Sequence, residues 1–272
     1  MPSNIEWTDE TWNPVTGCSK VSPGCKHCYA ETIAKRFWKG RKFTDVRVHE
    51  DRLWAPLHWK KPRMVFVNSM SDLFHEDVPD EFLHQVFSVM ERCSQHTFQV
   101  LTKRAQRMAQ YAGWRWGKRE EGPGHRIPSR NIWLGVSCED QQRADERIPW
   151  LVKTPAAVRF LSCEPLLGPI DLGLRNWAQL GRDDCRVDWV IVGGESGAGA
   201  RPCDVADIRF IVEDCQAASV PCFVKQVGSK PYVGPSESEP EDYPSLHDRK
   251  GGDPAEWPED LRVRQFPETS HA

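Results

Sequence analysis

Met64-Val-Phe-Val-Asn-Ser-Met-Ser-Asp72 begins as an apolar run of strand length and ends in polar residues. Behind it, Asp77 reads as a helix N-cap with Pro79 just inside, and Phe82, Leu83, Val86, Phe87, Met90 and Cys93 recur on one helical face. This is a β/α unit, and the chain repeats it. Apolar runs return at residues 98–101, 132–136, 158–161, 189–192 and 222–224, and residues 12–16 supply a first one. Helical patterns separate them at 104–111, 139–151 and 204–219, the last with Val205, Ile208, Val212 and Cys215 inward and Pro221 as its stop. Short apolar strands alternating with helices predict a mostly parallel sheet covered on both faces. Six or seven such units predict an α/β fold, a parallel β/α barrel that is partial rather than closed.

The 272 residues are 39% apolar and include 12 Trp and 11 Phe, enough to fill a large core. The start, Met-Pro-Ser-Asn-Ile-Glu-Trp7, lacks a basic segment followed by an apolar one, and no run is long enough to cross a bilayer. A cytoplasmic protein without a membrane partner is expected. Ten cysteines then read as free thiols rather than a disulfide framework. Cys93, Cys215 and Cys222 fall on predicted core faces, as small buried hydrophobes do.

The net charge of -3 is unevenly spread. Residues 35–63 carry ten Lys or Arg against Asp45, Glu50 and Asp51, which suits either a phosphate-facing edge or an ordinary solvated surface. Residues 236–260 reverse the sign, with nine acids against Arg249 and Lys250. The expected organisation is a barrel over 1–228 with a basic insertion at about 39–62, followed by an acidic, Pro-rich extension over 229–272. Within that extension Trp257, Leu261, Val263 and Phe266 are placed to pack back on the body. Residues 113–129 and 173–184 lack periodicity and read as loops.

Chemistry concentrates first in Gly17-Cys-Ser-Lys-Val-Ser-Pro-Gly-Cys-Lys-His-Cys-Tyr-Ala-Glu31, where Cys18, Cys25 and Cys28 share one loop ahead of a helix with Ala30, Ile33, Ala34 and Phe37 at helical spacing. Three cysteinates fill three corners of an iron–sulfur cube and leave one iron for a small molecule, whereas structural zinc takes four closed ligands. His27 lies too close inside the Cys25–Cys28 tetrapeptide to complete a zinc site comfortably. Zinc with a remote fourth ligand stays open as an alternative.

In a parallel β/α barrel the chemistry sits at the carboxyl ends of the strands. Those ends read Asn68-Ser69-Met70-Ser71-Asp72, Thr102-Lys103-Arg104, Ser137-Cys138-Glu139-Asp140, Ser162-Cys163-Glu164-Pro165, Gly193-Gly194-Glu195-Ser196-Gly197 and Lys225-Gln226. They are expected to converge on one mouth with the cysteines. The glycines at 193 and 194 suit either close approach of a ligand or a bare strand-to-loop turn. Glu164, Glu195 and Lys225 are the candidate catalytic groups, Lys225 as a partly desolvated ammonium. Asp72 and His75 are further acid/base candidates, although a lone His is more often structural.

The three-cysteine loop after the first strand, Tyr29 beside the third cysteine, the helix behind it and the β/α units resemble the radical S-adenosylmethionine superfamily. The spacing here is Cys-x6-Cys-x2-Cys, against the superfamily's usual Cys-x3-Cys-x2-Cys, with Pro23-Gly24 in the longer gap. A closer resemblance is to the phage gene product 37/68 family, carried by Trp7-Thr-Asp-Glu-Thr-Trp-Asn-Pro-Val-Thr-Gly-Cys18, Cys25-Lys-His-Cys-Tyr-Ala30, Asn68-Ser-Met-Ser-Asp-Leu-Phe-His75, Leu101-Thr-Lys-Arg104, Glu164-Pro-Leu-Leu-Gly168 and Trp189-Val-Ile-Val-Gly-Gly-Glu-Ser196.

The resemblance implies that Cys18, Cys25 and Cys28 hold a [4Fe–4S] cluster. It also implies that S-adenosylmethionine is cleaved by one electron from a donor to a 5′-deoxyadenosyl radical. Asn68, Ser69, Ser71, Asp72, Ser137, Glu139, Gly193 and Gly194 are the implied cofactor-binding positions. A nucleotide or nucleic acid base is the implied substrate class. An iron–sulfur protein that binds or repairs nucleic acid without radical chemistry is the alternative from another class.

Overall fold

The computed structural model describes residues 5–117, 127–179, 186–234, 241–242 and 245–268. Seven strands form the main sheet: β1 (Glu10–Trp12), β2 (Met64–Val67), β3 (Thr97–Thr102), β4 (Ile132–Ser137), β5 (Val158–Cys163), β6 (Trp189–Gly193) and β7 (Cys222–Gln226). They hydrogen-bond in chain order. The registers are parallel, with Trp12 opposite Val67, Val67 opposite Val100, Thr102 opposite Val136, Cys163 opposite Val192, and Val192 opposite Val224. Every residue of β4, β5 and β6 is buried, as expected for strands covered on both faces. The fold is α/β with the parallel sheet of a partial β/α barrel. No helix among the described residues is long and apolar enough to cross a membrane.

Besides a single turn at Glu50–Leu53, the helices among the described residues are α1 (Tyr29–Phe37), α2 (Asp80–Arg92), α3 (Ala105–Trp116), α4 (Gln141–Leu151), α5 (Leu174–Gln179) and α6 (Val205–Ala217). On α2, Phe82, Leu83, Val86, Phe87 and Met90 are all buried, and on α6 Val205, Ile208, Val212 and Cys215 are. The chain divides into two compact units, one of residues 1–136 and 153–159, the other of 137–152 and 160–272.

Four boundaries differ from the sequence pattern, each for a local reason. The first strand ends at Trp12, because Pro14 offers no N–H to a ladder, and Val15–Thr16 pairs instead with Arg47–Val48, antiparallel. Asp77 does not cap α2. Its N–H is held by His75 Nδ1 at 3.1 Å, and Pro79 takes the N-cap position, so that Asp80 and Glu81 stand in the first turn. Helix α3 runs through Gly113 to Trp116, because Arg115 pairs with Glu91 at 2.6 Å and Trp116 Nε1 donates to the same carboxylate at 3.1 Å. Those contacts offset the roughly 1 kcal/mol that an interior Gly costs a helix. Part of 173–184 is helical as α5, while residues 118–126 and 180–184 of the two expected loops lie outside the described residues.

On α1, only Ala30 and Ala34 are buried. Ile33 and Phe37, which share their helical spacing, are exposed.

In the second unit the C-terminal segment closes the edge of β7. Val224 N–H donates to Val263 O at 2.8 Å, Gln265 N–H to Cys222 O at 2.8 Å, and Trp189 Nε1 to Gln265 O at 2.8 Å. An otherwise open sheet edge is thereby paired. Trp257 is fully buried, donates from Nε1 to Gly251 O at 2.9 Å and lies under the Arg264 guanidinium. Trp257→Ala is expected to cost about 3–5 kcal/mol, as large aromatic truncations do. Trp257→Phe is expected to cost about 1 kcal/mol for the lost hydrogen bond. Urea midpoints measure both, and an unchanged midpoint for Trp257→Ala would show that the segment does not stabilise the fold.

Candidate functional site

The cysteine loop belongs to the first unit, and residues 68–72 form its floor. Gly17 has φ 98°, and its N–H donates to Met70 O at 3.0 Å. A Cβ at Gly17 would stand 2.6 Å from Asp45 O and 2.9 Å from Phe43 O, so the chain enters the loop only through glycine. Cys18 N–H is then held by Phe43 O at 2.9 Å. Cys25 ends a 3-10 turn (Pro23–Cys25), and its N–H donates to Ser22 O at 3.0 Å. Cys28 is the N-cap of α1.

Ser69, Ser71 and Asn68 tie the floor to the loop. Ser69 Oγ exchanges hydrogen bonds with the Asn13 amide at 3.1 and 3.2 Å, and Ser69 O accepts from Tyr29 Oη at 2.5 Å. Ser71 Oγ donates to Val15 O at 2.9 Å. Asn68, at φ 62°, accepts from Val15 N–H on Oδ1 at 3.2 Å.

Asp72 is buried and accepts four hydrogen bonds. Oδ1 takes Thr102 Oγ1 at 2.7 Å and Phe74 N–H at 2.9 Å, while Oδ2 takes Lys103 N–H at 3.0 Å and Arg104 Nη1 at 3.1 Å. Arg104 is thereby aimed at the loop. Its Nη2 donates to Ser19 Oγ at 2.8 Å, its Nε to Glu76 Oε2 at 2.9 Å, and its Nη1 lies 3.7 Å from Cys18 Sγ. Burial pulls the guanidinium down, but Asp72, Cys18 and Glu76 outweigh it and hold the charge firmly. Burial pushes the Cys18 thiol up to about 11, Asp72 adds to this, and Arg104 opposes it.

The three loop cysteines are half-exposed, whereas Cys93, Cys138, Cys163, Cys203, Cys215 and Cys222 are buried. The loop thiols also feel one another's charge, since Cys25 raises Cys18, and Lys20 interacts with both Cys25 and Cys28. Among the described residues no three His, Cys, Asp or Glu side chains gather at the spacing of a single metal ion. A cube of iron and sulfur is a larger body and sets its ligands farther apart. Three partly exposed thiols on one loop, with the Arg104 guanidinium beside Cys18 and the Lys20 ammonium near Cys25 and Cys28, fit such a group.

In the second unit Glu139 is fully buried, and Arg147 Nη1 donates to its carboxylate at 2.8 Å and to Ser137 O at 2.7 Å. Glu195 is clamped by Arg201, which donates from N at 2.9 Å, Nε at 3.0 Å and Nη2 at 2.6 Å. Gly194 lets the chain after β7 approach: a Cβ there would stand 2.4 Å from Val227 O. Gly193 lies close to Gln226 in the same way. Glu164 Oε1 accepts from Lys225 Nζ at 2.5 Å and Gln226 Nε2 at 3.3 Å, and this pair retains some exposure. The sequence pattern did not single out Arg147, Arg201, Ser19 or Asn13, because their partners lie in other segments or several residues away.

Residues 2–248 match the family described as Protein of unknown function (DUF5131). The chain belongs to that family. Neither a curated protein nor a solved structure matches it.

His75 ties the loop to acid pH. It is buried, its Nδ1 accepts from Asp77 N–H, and its Nε2 lies 2.8 Å from Ser19 Oγ. Burial, aided by Arg104, holds its pKa below the ordinary 6.5, with Glu76, Asp77 and Asp72 opposing. Below about 6.5 the unfolded chain therefore binds a proton that the folded chain does not, so this contribution to stability is full above that pH and falls as pH drops. His75→Gln is expected to flatten the loss of stability between about pH 7 and pH 5, read from urea midpoints. Parallel curves for the two proteins would contradict the assignment.

Proposed function

We propose that the DUF5131 chain is an iron–sulfur enzyme in which Cys18, Cys25 and Cys28 hold a [4Fe–4S] cluster and leave one iron for S-adenosylmethionine. The observation that carries this is the contrast in exposure: the loop thiols are reachable, and the six other described cysteines are sealed in the core. When bound, such a cluster supplies one electron that breaks the sulfonium carbon–sulfur bond, giving methionine and a 5′-deoxyadenosyl radical that abstracts hydrogen from a substrate.

The chain's own groups have separate tasks. Arg104 donates toward Cys18 Sγ and stabilises negative charge on the sulfur, while Asp72 and Glu76 keep the guanidinium in place. The Lys20 ammonium interacts with Cys25 and Cys28. In the second unit, Lys225 and Glu164 are assigned to the polar part of a ligand, because they meet at the carboxyl ends of β7 and β5 in a short contact with residual exposure on both partners. Glu139 and Glu195 are assigned to positioning through Arg147 and Arg201. A nucleotide or nucleic acid base is the substrate class that the basic run at 35–63 favours. An external electron donor completes the scheme.

Anaerobic reconstitution with ferrous iron and sulfide tests the reading. About four iron and four sulfide per chain are expected, together with 5′-deoxyadenosine and methionine after reduction with S-adenosylmethionine. Cys25→Ala should abolish both products. A cluster without cleavage would leave a binding or repair protein, and zinc without acid-labile sulfide would overturn the cluster itself.

A further inference from the structure

Helix α1 leaves the cysteine loop with its inner face satisfied by Ala30 and Ala34, and yet it carries three large apolar side chains on the outside. Tyr29, Ile33 and Phe37 follow at four-residue steps and are 53%, 40% and 63% exposed. Four-residue steps place them along one stripe of the helix. Tyr29 is fixed by its hydroxyl on Ser69 O, which leaves much of its ring outside. A stripe of this kind beside a loop of reachable thiols is rarely left to water without a partner.

The charge around the stripe says what the partner is. Glu31, the one acid on α1, is taken by Lys20 at 2.9 Å and Lys35 at 3.0 Å, and Asp45 is taken by Arg47 at 2.5 Å. Lys26, Arg36, Lys39 and Lys42 are left without an ion pair among the described residues, and all four are exposed. Arg36 lies over the exposed Phe37 ring at 5.2 Å, so that a cation and a π face are presented together. Protein interfaces are poor in Lys, whereas single-stranded nucleic acid is bound by exposed rings that stack on bases and by cations that follow the phosphates.

We propose that the outer stripe of α1 and the cations that flank the helix in the chain, with Tyr29 and Phe37 as stacking rings and Lys26 before the helix, Arg36 on it and Lys39 and Lys42 after it as phosphate contacts, bind single-stranded nucleic acid. The surface is made by the folded chain alone, so its binding does not depend on a cluster. It deepens the substrate assignment by bringing the polymer to the end of the helix that begins at Cys28.

Fluorescence anisotropy of the full chain with labelled oligo-dT and oligo-U tests this, with a duplex of equal length and poly-glutamate as comparison probes. The single strands should bind more tightly than either comparison, with log affinity falling linearly against log salt. Lys39→Glu with Lys42→Glu should weaken binding at least tenfold and reduce the salt slope by about 1.4. Phe37→Ala should weaken it by about fivefold or more with the slope kept. Circular dichroism confirms that these surface variants fold. Cys25→Ala should bind as the parent does, so that loss of the cluster reading and loss of this one are told apart. Absence of binding at low salt, affinity unchanged by the substitutions, or poly-glutamate binding as tightly as oligo-dT would overturn the proposal.

Discussion

The Asp72 carboxylate is the constraint on which the rest of the first unit depends. It sits in the segment after β2, takes a hydroxyl and a backbone N–H from the end of β3 and the N–H of Phe74, and accepts a fourth bond from Arg104. A carboxylate buried without partners would be protonated or would destabilise the fold, but one with four donors is stable and directional. Its direction is what matters, because Arg104 carries it across to Ser19 and Cys18. Two strand ends and a loop far away in sequence are thereby held in one arrangement. The floor residues complete it: Asn68, Ser69 and Ser71 bond to Asn13, Val15 and Tyr29.

Two kinds of polar residue therefore stand at the strand ends. Asp72, Glu139 and Glu195 are each bound to an arginine of their own unit, Arg104, Arg147 and Arg201. Such carboxylates orient other groups. Cys18, Cys25, Cys28 and the Lys225–Glu164 pair remain partly open to solvent, and there chemistry with a ligand is physically reasonable. The glycines at 193 and 194 belong to the first kind, since they make room for Gln226 and Val227 of the neighbouring chain segment.

Strand order was legible because continuous apolar runs such as Trp189–Gly193 admit few alternatives in an alternating β/α chain. So were the inner faces of α2 and α6, whose apolar spacing is regular. The α2 cap was not legible, because the Asp77 N–H is held by the His75 ring two residues earlier, a local side-chain contact that capping rules do not consider. The end of α3 was hidden for a similar reason: Gly113 argues for a stop, and only the Glu91 carboxylate explains why the helix continues. On α1 the apolar spacing was real but faced outward at Ile33 and Phe37, since periodicity marks a stripe without saying which side is covered. The cysteine loop stands out in the sequence by its spacing, whereas Arg104, which reaches Cys18, was visible only as charge at a strand end.

Three cysteinyl ligands and one open iron make a claim that spectroscopy of the reconstituted protein tests without any substrate. On mild oxidation a cluster held in this way loses the iron that no protein ligand holds. Electron paramagnetic resonance should then show a three-iron signal, accounting for about one cluster per chain, that disappears when ferrous iron and reductant are restored. A cluster that keeps four irons through the same oxidation would mean a fourth protein ligand, and the account of an open site beside Cys18, Cys25 and Cys28 would be contradicted.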